Sequence, residues 1–330
     1  MKALVYTNTL ELKYREEPKP VPVSGEALIK IEAVGICGSD MHAYHGHDAR
    51  RVPPLILGHE AVGVVQNGRQ KGKRVVLNPL ITCGHCNHCQ GGRSNLCFER
   101  ELIGMRRAGA FADYINIPER NLLDIPQDMD STVASLTEPA ATSLHAIYLS
   151  EKILHRPLSE CRALVLGGGS IGVFAALMLK HKGCKAIYLA DTNALRRETA
   201  EKLGCATVYD PLSSALPEAA SFDLVIDAVG SGRTRAASSE MVASGGVISH
   251  VGLQDNEAGL DTRRLTLDEI TFLGNYTYSV VDLKAAIDLL YSGALGSLDW
   301  VDTRSLSDGA AAFSEIHQGE AASPKIVLVP

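Results

Sequence analysis

The 330-residue sequence has a single tryptophan and only 5% aromatic residues. No apolar run approaches the roughly 18 residues that a membrane span requires. Its longest apolar stretches, such as FAALMLKH at 174–181, are broken by glycine or charge. The opening MKALVY carries one lysine but no long apolar segment and no small-residue cleavage site, so no secretory signal is expected. No charge of one sign dominates: 32 basic residues face 38 acidic ones, a net charge of -6. Basic residues concentrate only at Arg50–Arg51 and at Lys71, Lys73 and Arg74, too few to track a phosphate backbone. These absences exclude nucleic acid and membrane as expected partners and predict a soluble, cytoplasmic chain.

What the sequence does have is glycine, 30 residues of it, as an α/β protein with many tight turns requires. It also has 8 cysteines, half of them in the stretch CGHCNHCQGGRSNLC at 83–97. In an intracellular chain such clustering favours metal ligation over disulfides.

Two textures alternate. Up to about Glu138 the chain reads as short β-like runs (ALVYT, EALIKIEAVG, AVGVV, KRVVLN, ADYINI) separated by Gly/Pro turns. Beyond Ala140, strands alternate with helical patterns: RALVL, VFAALMLKHKG, KAIYLAD, ALRRETAEKLG, FDLVIDAVG, TRAASSEMV, GGVISHVG and ITFLGNY. That alternation predicts βαβ units on a parallel sheet. VDLKAAIDLLYSG is helical and SPKIVLVP a closing strand.

The run Gly167-Gly168-Gly169-Ser170-Ile171-Gly172 satisfies G-x-G-x-x-G. The motif is weak alone, but here it follows an apolar strand, opens a helix, and precedes Asp191 at the end of the next strand. Gly167 makes the tight turn, Gly169 admits a pyrophosphate, and Gly172 permits close helix packing. The helix N-terminus supplies the positive end. Asp191 accepts from ribose hydroxyls and repels a 2′-phosphate, favouring NAD over NADP. Arg196, one turn on, flanks the adenine or offsets that repulsion.

Cys83, Cys86, Cys89 and Cys97 form C-x2-C-x2-C-x7-C. Four thiolates at short spacing suit a closed tetrahedral zinc site, which has no position open for chemistry. An iron–sulfur cluster would use the same donors, but the Gly, His and Asn fillers favour zinc. His85 and His88 are read as exposed loop residues. A catalytic metal would then need other ligands. Cys37 in GICGSDMH, His59 and Glu60 in LGHEAVG, and Glu138 in TEPAATSLHA have the right donor types. Taken singly, a small buried thiol, a turn histidine and a helix-end charge explain Cys37, His59 and Glu138 equally well, and spacing does not join them.

In combination and order, GICGSDMH, GHEAVG, the four-cysteine lobe, LTEPAATSLHA, VLGGGSIG and SPKIVLVP resemble the zinc-dependent medium-chain alcohol and polyol dehydrogenases, over essentially the whole chain. The resemblance implies an α/β protein in two domains. A GroES-like, mostly-β catalytic domain (1–139 plus 274–330) would carry the zinc lobe, and a Rossmann NAD(P)-binding domain (140–273) would be inserted in it. It implies two zinc ions per chain, the catalytic one on Cys37, His59 and Glu138. Glu60 either sits behind that metal or swaps in as a ligand. Ser39 and His42 match a proton path, and Thr142 a position against the nicotinamide. Zinc would act as a Lewis acid on the alcohol oxygen, and hydride would pass reversibly to the nicotinamide. The implied substrate is a secondary alcohol or small polyol, oxidised to the ketone. Glutamate at 138 resembles the sorbitol- and threonine-type branches.

The sequence departs from the family at three points. The passage VVQNGRQKGKRVV is short, Thr277 stands where sorbitol-type enzymes carry an arginine, and the chain keeps a four-cysteine lobe that vertebrate sorbitol dehydrogenases lack. Tyr44, His45, His47, Met105 and Phe111 are soft candidates for the substrate cleft. A homodimer or homotetramer is expected through edge pairing of the Rossmann sheets, with ITFLGNY as the last strand. A zinc-free reductase of the superfamily should lack the seven ligand residues present here. A zinc-binding structural or regulatory descendant without turnover remains an alternative, as does a threonine-type or NADP-preferring dehydrogenase.

Overall fold

A computed structural model describes residues 1–330. The chain divides into two compact units, the first made of Met1–Glu138, Ser279–Ala321 and Lys325–Pro330, the second of Pro139–Tyr278 and Ala322–Pro324. The first break falls inside the helix Thr137–Glu151, whose Pro139 is accommodated in the opening turn, where an amide proton has no intrahelical partner. The second break lies a few residues beyond the expected one. Asn275 ties 274–278 to the second unit: its N–H donates to His250 O at 2.9 Å and its Nδ2 to Ser249 Oγ at 2.7 Å.

The first unit is built on a seven-stranded sheet. Strand Glu26–Gly35 is its hub, pairing antiparallel with Glu60–Val65, with Tyr114–Pro118 and with Lys325–Val329. Its residues alternate as a half-buried strand must: Ala27, Ile29, Ile31 and Ala33 are buried and Lys30 is exposed. A bulge after Ile31 shifts the register, so that Gly35 lies opposite Glu60. The last residues of the chain therefore help to build the same sheet as residues 26–65. A core including Leu4, Ile29, Leu57, Phe111 and Phe313 packs on this framework. Phe111 is fully buried and meets Phe313 edge-on, so it is a core residue and does not line a cleft.

The second unit is a six-stranded parallel sheet in the order Thr207–Tyr209, Ala186–Ala190, Arg162–Leu166, Phe222–Asp227, Val242–His250, Thr271–Gly274. Numbered along the unit, that order is 3-2-1-4-5-6, the doubly wound dinucleotide-binding topology. The central strands read as continuous apolar runs because both faces are covered: Ala163, Leu164 and Val165 are fully buried. Leu164 and Val165 each contribute about 1.5–3 kcal/mol on burial.

Candidate active site

Cys37 is the N-cap of a seven-residue helix, Gly38–Tyr44. Asp40, the third residue into the helix, turns back, and its Oδ2 accepts the Cys37 N–H at 3.0 Å. Its Oδ1 accepts the Gly58 N–H at 3.4 Å and lies 3.5 Å from His59 Nδ1. One fully buried carboxylate thus holds both Cys37 and His59, two strand ends far apart in sequence. Burial pushes the Asp40 carboxyl up, but His59, Arg51 and the Cys37 amide outweigh it and hold it below its usual range. Burial lowers His59 in turn, and Asp40 and Cys37 raise it well above the ordinary histidine range. A carboxylate on Nδ1 leaves Nε2 as the nitrogen that can face a metal, the arrangement usual for ligating histidines.

Cys37, His59 and Glu60 each offer a ligand atom, and the three atoms lie within 4.8 Å of one another. A thiol on the half-buried Cys37, with a buried imidazole and a buried carboxylate beside it, is a donor set suited to zinc. Glu60 Oε2 accepts from Lys325 Nζ at 2.5 Å, whereas its Oε1 is buried with no hydrogen-bond partner. Glu138 is buried in the first turn of Thr137–Glu151 but is not a member of this three-atom cluster. Its charge is felt at Lys325. Burial lowers that ammonium, and Glu60, Cys37 and Glu138 together raise it above its usual range.

Ser39 and His42 share the helix Gly38–Tyr44, three residues apart and so on one face. Arg51, a buried cation, spans this region. Its Nε donates to Gly104 O at 3.0 Å and its Nη1 to Ser39 O and Asp48 Oδ2, both at 2.9 Å. Its Nη2 donates to Ser39 Oγ at 3.2 Å. Burial, His47 and Arg51 lower the His42 imidazole. His45 and His47 are not members of the Cys37/His59/Glu60 cluster; His45 Nε2 is 2.9 Å from His317 Nδ1. Sequence reasoning missed Asp40, Arg51 and Lys325. A lone lysine heading the apolar strand KIVLV was the available signal for the last.

The four cysteines at 83–97 come together as well, all four sulfurs within 4.8 Å of one another. Cys86 Sγ is 3.5 Å from Cys89 Sγ, Cys97 Sγ 3.6 Å from Cys83 Sγ, and Cys83 Sγ 3.9 Å from Cys89 Sγ. Four sulfurs at the zinc–thiolate distance on a tetrahedron stand about 3.8 Å apart, so the lobe fits that ion closely. Amides of His85 and Cys86 pull the Cys83 thiol down to about 6, while burial pushes Cys97 up to about 11. His85 is exposed as expected, but His88 is half-buried on the short helix Asn87–Gln90 and packs edge-on against the exposed Phe98. Cys161, Cys184 and Cys205 are raised chiefly by burial, as inert thiols are.

In the second unit, Gly167 turns the strand Arg162–Leu166 into the helix Ser170–His181 at φ +102°. A Cβ at Gly172 would fall 1.8 Å from Gly167 O, which explains glycine there. Gly169 is the N-cap, without a side-chain cap, and a Cβ on it would meet nothing within 4 Å. The first turn, with Ser170 and Ile171, carries no acidic residue. An open, uncapped helix start of this kind fits a dinucleotide pyrophosphate. Asp191 Oδ2 accepts the Gly168 N–H at 2.6 Å and Oδ1 the Asn193 N–H at 2.7 Å, and Arg196 Nη1 lies 4.0 Å away. Thr142 is buried one turn beyond Glu138 on the helix Thr137–Glu151.

Residues 23–127 match the alcohol dehydrogenase GroES-like domain and residues 170–292 the zinc-binding dehydrogenase domain. An L-threonine 3-dehydrogenase from Shewanella sp. (strain W3-18-1) is 31% identical over 277 residues, covering 79% of this chain and 80% of that protein. Among solved structures, an alcohol dehydrogenase from Thermus sp. ATN1 superposes with a TM-score of 0.91 at 27% identity, covering 100% of both chains. A putative zinc-binding dehydrogenase from Sinorhizobium meliloti 1021, bound to NADP, gives 0.86 at 29% identity, covering 100% of this chain and 99% of that one. No helix is long and apolar enough to cross a membrane. With two matched domains in the expected order and a relative at this identity over four-fifths of its length, the chain belongs to the zinc-dependent, NAD(P)-linked medium-chain dehydrogenases, oxidoreductases acting on CH–OH groups.

Proposed function

We propose that this protein oxidises a secondary alcohol or small polyol reversibly to the ketone, with NAD as hydride acceptor. The observation that carries the reading is the convergence of ligand atoms of Cys37, His59 and Glu60 within 4.8 Å, in a cluster separate from the four-cysteine lobe. A chain with only a structural role for zinc has no need of that second, incompletely ligated cluster. When bound, zinc supplies Lewis acidity toward the substrate oxygen and the nicotinamide accepts the hydride.

The protein's own residues do the rest. Cys37, His59 and Glu138 hold the catalytic metal, with Glu60 able to enter the ligand set, and Asp40 orients His59. Ser39 Oγ, already accepting from Arg51, keeps its own proton free to move on as it takes one from the substrate hydroxyl. His42, lowered in pKa and so neutral at pH 7, is the next acceptor. Gly167, Gly169, Ser170, Ile171 and Gly172 cradle the pyrophosphate, Asp191 the adenosine ribose, and Thr142 packs against the nicotinamide. Cys83, Cys86, Cys89 and Cys97 hold a second, closed zinc. The same family membership is consistent with a cytoplasmic homodimer or homotetramer formed through the edge strand Thr271–Gly274.

Two observations favour narrower readings. The half-exposed Arg196 stands 4.0 Å from Asp191 and would welcome a 2′-phosphate. The L-threonine 3-dehydrogenase relative points to a β-hydroxy amino acid as the secondary alcohol. The test is a panel of secondary alcohols, diols, sugar alcohols and L-threonine, each with NAD and with NADP, alongside zinc analysis. Two zinc ions per chain and ketone formation with NAD are expected. One zinc per chain, or turnover confined to alkene reduction, overturns the reading. Two zinc ions with no turnover on any substrate favours a descendant that has lost activity.

A further inference from the structure

Lys325 is the least expected charge in the molecule. It opens the strand Lys325–Val329, whose other residues are Ile, Val, Leu and Val, and its side chain is fully buried. Its Nζ donates to Ile36 O at 2.8 Å, one residue before Cys37, and to Glu60 Oε2 at 2.5 Å, one residue after His59. The ammonium therefore bridges the two segments that deliver the metal cluster. Gly35, opposite Glu60 in the register, completes the seat: a Cβ there would stand 2.1 Å from Glu60 Oε2. The carboxylate is thus clamped by one oxygen, while Oε1 is buried without a partner.

The charges explain why a cation is needed. With a metal on Cys37 sulfur as thiolate, Glu60, Glu138 and the fully buried Asp40 bring the region to four negative charges, more than one divalent cation and Arg51 together neutralise. A buried ion pair is poor evidence of stabilisation, since desolvation offsets much of the attraction, and an apolar residue in this strand would cost nothing of that kind. A role at the metal accounts for its presence.

We propose that Lys325 is a positioning residue for Glu60: by engaging Oε2 and offsetting the surplus negative charge, it leaves one oxygen for the metal and keeps Glu60 a weak, displaceable ligand. The proposal rests on the reading of Cys37 and His59 as metal ligands, with Glu60 able to enter the ligand set. Without the ammonium, both carboxylate oxygens become available and the pocket gains net negative charge. The metal is then held more tightly and is less open to substrate.

The experiment uses the full-length enzyme with zinc, and with cobalt(II) replacing it, in the variants Lys325→Met, Lys325→Gln and Lys325→Arg. Methionine removes the charge and the donor; glutamine keeps a donor without charge and serves should the methionine chain fail to fold. In both neutral variants, release of the catalytic zinc to a chelator should slow by on the order of tenfold, as expected for losing a nearby cation in a buried site. The visible cobalt bands should weaken as coordination number rises, and kcat should fall more than KM changes. Lys325→Arg should behave like the parent. A lysine that only anchors the C-terminal strand predicts the reverse: faster zinc release, a lower thermal midpoint and unchanged bands. That result, or failure of both neutral variants to fold, overturns the proposal. Cys37→Ser separates the premise: if it still binds two metal ions, the ligand reading fails. If it drops to one while the Lys325 variants match the parent, only the present inference fails.

Discussion

The four-cysteine lobe and the Cys37/His59/Glu60 cluster bring side chains able to hold a metal together in opposite ways. In the lobe, one fifteen-residue stretch supplies all four sulfurs, and the turn's own amides, at Cys83 and Cys86, point at Cys97 and Cys83 sulfur. Nothing from elsewhere in the chain is needed to complete the donor set. The other cluster is assembled from strand ends and a helix cap, and two buried charges, Asp40 and Lys325, hold it from behind. A site whose ligands carry their own geometry serves as a staple. A site whose ligands depend on charged supports can be tuned, and tuning is what a metal that must exchange ligands requires.

Removing a ligand from each site should break the comparison most sharply. Cys37→Ser should abolish turnover, by on the order of a thousandfold, the several kcal/mol that a Lewis-acid metal supplies to the transition state. Its zinc content should fall from two to one, and its thermal midpoint should move little. Cys89→Ser should also lose one zinc, but its signature is thermal: a fall on the order of 10 °C, with residual turnover in whatever fraction stays folded. Metal analysis, calorimetry and initial rates on both variants decide the matter. If Cys89→Ser keeps both zinc ions and its thermal midpoint, the lobe is no staple.

How far each region could be read from sequence follows from the same contrast. The lobe was legible because metal-ligand spacing is a local property, and so was the dinucleotide loop, where strand, glycine turn, helix and acidic residue fall in a fixed order. The βαβ alternation of the second unit was legible for the same reason: Ala163–Val165 as an apolar run and 170–181 as a helical one each declare themselves over a few residues. The buried cluster was not. Cys37 and His59 meet only because the bulge after Ile31 sets the register of Glu26–Gly35 against Glu60–Val65. Lys325 reaches Glu60 only because the end of the chain pairs with that same strand. Sequence patterns over a few residues carry no trace of such pairings, so the residues were joined by resemblance and not by physics. Asp40 carries a local signal, an acid at the third position of a helix, but the helix Gly38–Tyr44 is too short and too rich in Gly, Ser and Asp to announce itself in sequence.

A milder change probes the supports without removing a ligand. Asp40→Asn keeps the size of the side chain but removes the charge facing His59 Nδ1, and its single amide oxygen can accept only one of the two backbone N–H groups, of Cys37 and Gly58, that the carboxylate holds. Loss of such a partner costs on the order of 10- to 100-fold in metal affinity or activity. Cys37→Ser and Asp40→Asn should therefore rank in that order for zinc release from the catalytic site, with the lobe's zinc unaffected in both. An equal effect on the two zinc ions would show that the two sites are coupled through the fold.

The smallest effect lies inside the lobe itself. His85 and His88 sit among the four cysteines in sequence, and imidazole is as good a zinc donor as thiolate. Yet the sulfurs already stand at tetrahedral spacing, His85 is exposed, and His88 spends its ring on Phe98 at 5.2 Å. A fifth donor has no position to fill. His88→Ala should leave two zinc ions per chain, and change stability by no more than about 0.5 kcal/mol, as for a surface substitution away from any cap or core. Zinc content after dialysis against a weak chelator is the sensitive reading. Loss of one zinc from His88→Ala would mean that the lobe, like the buried cluster, relies on a residue outside its four sulfurs, and the contrast between staple and tunable site would narrow.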